Sequence, residues 1–261
     1  SALTEVSNDK IRNRSFAVPV FLCARLTLGM DNFRTVRDHV GRSVRIPQTP
    51  QRIISLCPSQ TETLYDLGLA PRIVGRTHYC IHPEGKVEAA VKVGGTKKVK
   101  MDRIAELKPD LIIAEKEENP KEMVEALDEH YPVYVTEVRD LVENLRMVAD
   151  LADITGQREA GHALKVNLEV AFARIQQSEP RKRCLYFIWR KPWMVGGANT
   201  FIDAVLEESG WENLARTHGD RYPALTTEEL RHYDPEVVLL SSEPFPFSEK
   251  LYPELQAHFP Q

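Results

Sequence analysis

The sequence predicts an α/β protein of two mostly parallel lobes joined by a long interdomain helix, with a ligand cleft between the lobes. Three observations carry that reading. The first is an internal echo: Asp102-Arg103-Ile104-Ala105-Glu106-Leu107-Lys108-Pro109-Asp110-Leu111-Ile112-Ile113-Ala114 and Glu228-Glu229-Leu230-Arg231-His232-Tyr233-Asp234-Pro235-Glu236-Val237-Val238-Leu239-Leu240 lie about 126 positions apart. Each is an acid-led short helix stopped at proline and followed by a buried strand. The second is a rhythm of short apolar runs separated by helical patterns, as in a parallel sheet covered on both faces. The third is a stretch from Asp140 in which apolar residues recur at helical spacing and divide the two echoes.

Residues 1–40 read as an N-terminal extension. Lys10, Arg12 and Arg14 precede a mostly apolar run over 16–28, which is similar to a secretion signal, but Pro19 and Arg25 interrupt it and no small-x-small cleavage pattern follows. The run is too short and too broken to span a bilayer. Val20-Phe21-Leu22-Cys23 lacks the small residue that a lipoprotein attachment site places before its cysteine.

The first lobe is expected over 41–139. Gly41 to Pro47 alternates like a short edge strand, and Arg52 to Cys57 is a compact strand that Pro58 ends. Ser59 or Thr61 is placed to cap a helix over 62–67 that Gly68 closes. Further strands are expected at 72–74, 111–114 and 133–135. Connecting helices fill 140–178: Leu141, Leu145, Val148, Leu151 and Ile154 mark one, and Leu164, Leu168, Ala171, Phe172 and Ile175 mark a second that reaches about Gln177. At roughly 18 residues and 27 Å the second is long enough to run from lobe to lobe, a stiff connector that predicts small rocking rather than wide hinge closure. The second lobe, 179–261, repeats the grammar with a strand over 183–189, a turn at Gly196-Gly197-Ala198-Asn199 and a helix over 200–209 closed by Gly210. Its sheet is expected to be incomplete after Leu240, as in a chain cut short at its C-terminus.

Composition narrows the function classes. A chain of 261 residues that is 42% hydrophobic can bury two cores of ordinary size. With 34 basic against 38 acidic residues and a formal charge of -4 it has no net field for a polyanion, so a nucleic-acid partner is not expected. Cys23, Cys57, Cys80 and Cys184 are too scattered for a zinc site or a disulfide framework. There is no Gly-x-Ser-x-Gly elbow, no Walker loop and no His-Glu-x-x-His, so neither an enzyme activity nor a cofactor is expected.

Ligands of open α/β sheets gather beyond the carboxyl ends of strands. That rule singles out Cys57-Pro58-Ser59-Gln60, the segment Arg76 to His82, Trp189-Arg190-Lys191-Pro192-Trp193 and the segment Thr217 to Pro223, with Gly94-Gly95-Thr96-Lys97-Lys98 beside them. Tyr79, Trp189, Trp193 and Tyr222 offer flat faces suited to a large conjugated ligand, and Arg76, Lys97, Arg190 and Lys191 offer cations suited to carboxylate or phosphate substituents. Trp189 ends a strand, the pattern of a core residue, whereas Trp193 follows proline in a loop, the pattern of a contact. His78 and His82 stand at i,i+4, but Pro83 argues for a loop in which that spacing carries little geometry, and solvated histidines are the plainer reading. Glu115-Lys116-Glu117-Glu118-Asn119 reads either as cleft lining or as a solvated charged face.

The segments Arg52 to Glu62, Ile73-Val74-Gly75, Leu107-Lys108-Pro109-Asp110-Leu111-Ile112-Ile113, and Asn199-Thr200-Phe201 leading to Gly210-Trp211-Glu212-Asn213-Leu214 stand in an order, around a long central helical stretch, that resembles the helical-backbone class of ABC-importer substrate-binding proteins. That class captures vitamin B12, iron-siderophores and haem, and the resemblance runs from about Gly41 onward. It implies a corrinoid or iron-chelate ligand in the interlobe cleft, permease subunits of an ABC transporter as partners, a monomer, and a periplasmic or cell-envelope location. By position it implies Tyr79, Trp193 and Tyr222 as aromatic ligand contacts, with Thr96 where vitamin B12-binding members carry a further tryptophan. Ser59, Trp189, Arg190 and Lys191 complete the expected ligand-binding set, and the Arg190-Lys191 pair tilts the expectation toward an anionic chelate or a decorated corrinoid. Asp102 and Glu228, the leading acids of the echoes, are implied to dock onto permease arginines. They also suit helix N-termini as ordinary dipole partners. Two other readings stay open: a cytoplasmic protein or enzyme handling corrinoids or metal chelates, which the poor secretion signal favours, and a direct transition-metal binder using His78, His82 and His218.

Overall fold

The computed structural model describes residues 32–175 and 181–259. The apolar run over 16–28, with Cys23, and the expected helix end at Gln177 lie outside the described residues. A hairpin opens the described chain: β1 (Phe33–Arg37) pairs antiparallel with β2 (Ser43–Pro47). The first lobe therefore begins before the expected boundary at Gly41. Alternation turns Val36, Val44 and Ile46 onto the lobe's core, and Arg42 fixes the hairpin by donating from Nε to Asp38 at 2.9 Å and from Nη2 to the Val133 carbonyl at 2.7 Å.

Next come β3 (Ile53–Ser55), α1 (Pro58–Asp66), β4 (Ile73–Arg76), β5 (Val91–Lys92), α2 (Met101–Leu107), β6 (Leu111–Glu115), α3 (Lys121–Asp128) and β7 (Val133–Thr136). The five strands make one wholly parallel sheet in the order β5-β4-β3-β6-β7. Burial on both faces explains the unbroken apolar run of β6: Leu111 and Ile113 enter one core cluster, Ile112 and Ala114 the other. Helix α1 starts a turn earlier than expected. Pro58 is tolerated at its first position, where the missing N–H would have no partner in any case. Thr61 does not cap; its Oγ1 donates back to the Cys57 carbonyl at 2.8 Å.

Two helices lead from the first lobe to the second. Helix α4 (Leu141–Thr155) is capped by Asp140, which accepts from the Glu143 N–H at 2.8 Å, and α5 (Arg158–Ala173) packs back on it after Gly156, in left-handed backbone at φ 75. Met147, Val148, Leu151, Ala152 and Ile154 of α4 are built into the first lobe's core, with Leu164 and Leu168 of α5 packed outside it. The helices touch closely enough that a Cβ on Gly161 would lie 2.2 Å from the Ala152 Cβ. Gly161→Ala should therefore lower stability by about 1–3 kcal/mol through overpacking, despite the better helix propensity of alanine. A thermal melt checks this, and a raised melting temperature would mean that the two helices part freely.

The second lobe comprises β8 (Lys182–Trp189), β9 (Trp193–Val195), α6 (Phe201–Glu208), β10 (Trp211–Asn213), β11 (Ala224–Leu225), α7 (Thr227–Tyr233), β12 (Val237–Leu240) and α8 (Tyr252–His258). Strands β10 and β12 run parallel to β8, but β9 is antiparallel to both β8 and β11, so this sheet is mixed rather than mostly parallel. The segment 190–192 is too short for a crossover and can only close a hairpin. Trp193 consequently stands on a strand, not in a loop.

The echo survives in backbone detail. Helices α2 and α7 end on left-handed, non-glycine C-caps of the same shape, Lys108 at φ 45 and ψ 59, and Asp234 at φ 43 and ψ 62. After the following proline, Asp110 accepts from the Arg52 N–H at 2.8 Å and Glu236 accepts from the Arg183 N–H at 2.9 Å. Each acid thus locks the strand it opens (β6, β12) to the parallel neighbour that begins its lobe (β3, β8).

Candidate functional site: the facing strand ends of the two lobes

On the first lobe, the loops beyond the carboxyl ends of β3, β5 and β6 are joined through one side chain. Asn119, 3% exposed, donates from Nδ2 to the Thr96 carbonyl at 2.8 Å and to the Leu56 carbonyl at 3.2 Å, while its Oδ1 accepts from the Glu115 N–H at 2.8 Å. Thr96 is buried, and its carbonyl is held by this bond. Ser59, on the first turn of α1, donates to Gln60 at 2.9 Å, and Gln60 reaches Thr136 at the end of β7 at 3.0 Å. Tyr79 stands 58% exposed beyond β4, its ring 4.2 Å from that of His78, which in turn rests on Gly95. Arg76 holds this loop from beneath: its buried guanidinium donates to the carbonyls of Val87 at 2.8 Å and Cys80 at 2.9 Å.

The run 115–119 is solvated only in part: Lys116 is exposed, Glu117 and Glu118 are half-buried, and Glu115 and Asn119 are buried. Glu115 is 7% exposed, and its Oε2 accepts from the N–H groups of Glu117 and Glu118 at 2.7 and 2.9 Å. Burial pushes its carboxyl up to about 7, against the pull of the backbone bonds. The position of this acid at the last residue of a fully apolar strand was the available signal in the sequence. Lys97 donates to the Glu117 carbonyl at 2.8 Å and faces Glu118, and Lys116 pairs with Glu137 at 2.6 Å.

On the second lobe, Trp189 is 39% exposed rather than core. The β8–β9 register shifts between Phe187 and Trp189, which breaks the alternation that would have turned it inward, and its ring meets Phe245 edge-on at 5.6 Å. Trp193 is partly buried, T-shaped to Phe187 at 5.5 Å and stacked with Phe247 at 6.4 Å, an aromatic cluster that Phe259 and His258 of the C-terminal segment extend. Sequence reasoning did not single out Phe245 or Phe247, whose proline-rich surroundings carry no periodicity. Arg190 is ion-paired with Glu254 of α8, so half of the positive charge expected from Arg190-Lys191 is neutralised; Lys191 is exposed.

The lobes meet at Tyr222. Its hydroxyl donates to Glu117 Oε2 at 2.7 Å, and the adjacent Arg221 forms an ion pair with the same carboxylate. Gly197 makes room for this loop: its N–H donates to the Arg221 carbonyl at 2.7 Å, and a Cβ there would lie 2.3 Å from the Asp220 carbonyl. Asp102 and Glu228 occupy the same exposed, second position of α2 and α7. Glu228 borders a surface cavity of about 610 Å³ with Glu212, His232 and Tyr233.

His218 pairs with Asp220 at 3.4 Å and lies 3.8 Å from Glu229. Among the described residues no group of three or more His, Cys, Asp or Glu side chains is arranged to hold a metal ion, and His78 and His82 are exposed in their loop. Cys57, Cys80 and Cys184 are buried free thiols. No helix among the described residues is long and apolar enough to cross a membrane.

Comparison with known proteins places this architecture. Residues 53–258 match the family model described as periplasmic binding protein. The vitamin B12-binding protein of Vibrio campbellii is 26% identical over 195 residues, covering 73% of this chain and 70% of the relative. Two solved structures share the fold: a periplasmic haem-binding protein from Pseudomonas aeruginosa, with TM-score 0.70 and 24% identity over 81% of this chain and 78% of the other, and the periplasmic vitamin B12-binding protein of Vibrio cholerae, with TM-score 0.66 and 24% identity over 82% and 84%.

Proposed function

The chain belongs to the periplasmic binding protein family, and from that premise we propose that it is the substrate-binding component of an ABC importer, holding a corrinoid or an iron chelate such as haem or a ferric siderophore between its lobes. The observation that carries the proposal is the cross-lobe contact of Tyr222 with Glu117, because it sets the loops beyond the strand ends of both lobes around one gap. Relatives named for vitamin B12 and haem support the ligand class. So does the supply of aromatic rings near the strand ends: Tyr79 is exposed on the first lobe and Trp189 on the second, where Tyr222 and Trp193 are half-buried. Affinity comes from aromatic burial and a few polar contacts, and the ligand is carried without covalent change. The protein works in the periplasm or at the cell envelope. Its permease contacts are made by Asp102 and Glu228, whose equivalent helix positions give one acid per lobe and let the permease sense the spacing between lobes; added salt weakens such docking.

Titration tests this. Dicyanocobinamide, cobalamin, haemin, a ferric hydroxamate and zinc chloride are added separately to the purified chain while tryptophan fluorescence and thermal stability are followed. A flat metal macrocycle or a ferric chelate should quench and stabilise, and Tyr79→Ala with Tyr222→Ala should weaken binding by roughly 100-fold, at 1–3 kcal/mol for each aromatic face lost. Response to zinc alone, or chemical change of the bound ligand with no partner present, would overturn the proposal.

A further inference from the structure

Glu117 ties the loop beyond β6 to the second lobe. Its carboxylate takes the Tyr222 hydroxyl at 2.7 Å and the Arg221 guanidinium, both from the opposite lobe. The surrounding charges are already matched in pairs, Lys97 facing Glu118 and Lys116 facing Glu137. Arg190 on the second lobe is held by Glu254. Glu115, buried directly behind in the same turn, completes the set as a second carboxyl close enough to interact with Arg221. Arg221 is thus the cation of this seam, and it has a carboxylate partner before any ligand arrives.

Resting on the reading of the cleft given above, we propose that Glu117 is the specificity-determining residue of the site, selecting a macrocycle whose edge carries neutral amides over one whose edge carries carboxylates. A primary amide replaces both halves of the seam: its N–H groups donate to Glu117, and its carbonyl accepts from Tyr222 or Arg221. A ligand carboxylate takes Arg221 only by displacing Glu117, whose charge is then left half-buried without its cation, and two carboxylates sharing one guanidinium repel. The seam therefore works by exclusion as much as by attraction.

The probes are dicyanocobinamide, with an amide-bearing edge, and haemin, with two carboxylates, each titrated at neutral pH against the wild-type chain, Glu117→Gln and Arg221→Ala. Circular dichroism checks that each variant is folded. Wild type should bind dicyanocobinamide at least roughly ten-fold more tightly than haemin, the worth of one hydrogen bond to a charged group. Glu117→Gln, which keeps an acceptor for Tyr222 but removes the charge, should move that ratio toward haemin by about ten-fold or more, and Arg221→Ala should move it away from haemin. A wild-type preference for haemin, or a ratio that Glu117→Gln leaves unchanged while both ligands still bind, overturns the selection by Glu117 and leaves the reading of the cleft standing. If neither compound binds the wild-type chain while a ferric hydroxamate does, this proposal falls and the reading of the cleft stands; if none of the three binds, both fall.

Discussion

Glu115→Gln should remove a pH dependence of stability that the wild-type chain shows between about pH 4.5 and pH 7. Burial keeps this carboxyl protonated in the folded chain up to about pH 7, whereas the unfolded chain releases the proton near 4.5. Across that window the folded state holds one proton more than the unfolded state. Stability therefore falls as pH rises through it, and levels off above about 7. At 1.36 kcal/mol per unit the whole effect is at most about 3 kcal/mol. Glutamine still accepts from the Glu117 and Glu118 N–H groups but has no charge to desolvate. Urea unfolding should find the variant equal to wild type near pH 4.5 and more stable by up to about 3 kcal/mol at pH 8. Parallel curves for the two proteins across the window would show that water reaches Glu115 and that its burial has been misjudged.

The largest loss of stability is expected at Asn119. Its amide serves three backbone groups, the carbonyls of Thr96 and Leu56 in two loops and the N–H of Glu115 at the end of β6, in a place where water does not replace it. Asn119→Ala leaves all three without that partner, at about 1–3 kcal/mol each, so a total near 4 kcal/mol is expected after partial relaxation. For a chain of this size that is roughly 10 °C in melting temperature. Asn119→Asp, which keeps the acceptor but turns a carboxyl oxygen onto the Thr96 and Leu56 carbonyls, should be no more stable than the alanine variant. A change under about 1 kcal/mol for the alanine variant would mean that the loops are held by their other contacts.

The sequence made most of the fold legible because burial on both faces leaves a plain trace. The β6 run Leu111 to Ala114 is the clear case; its counterpart Val237 to Leu240 is a strand too, but only half-buried where a buried one is expected, and the prolines and acids before both mark the helix stops. The connector was harder. Gly156 reads as an interruption, and only the structure shows that it turns α5 back along α4, because periodicity identifies helices and not their directions. Trp189 departs from the core position its strand-end pattern predicts for a related reason: a register shift breaks the alternation on which burial readings depend. The site was legible as a set of loops and illegible as a set of contacts. Tyr222 was identified as an aromatic face, but its hydrogen bond to Glu117 spans 105 positions, a separation that no local pattern encodes. Glu115 and Asn119 hid within a charged run because a solvated face and a buried knot share the same composition.

The most direct test of two lobes closing on one flat guest is a crystal structure of the chain grown with dicyanocobinamide. The ring should lie between the loop of Tyr79 and the loop of Tyr222, with Glu117 and Arg221 turned from each other toward the ligand's edge. A macrocycle bound on an outer face, with the Tyr222–Glu117 bond unbroken and the gap empty, would contradict it.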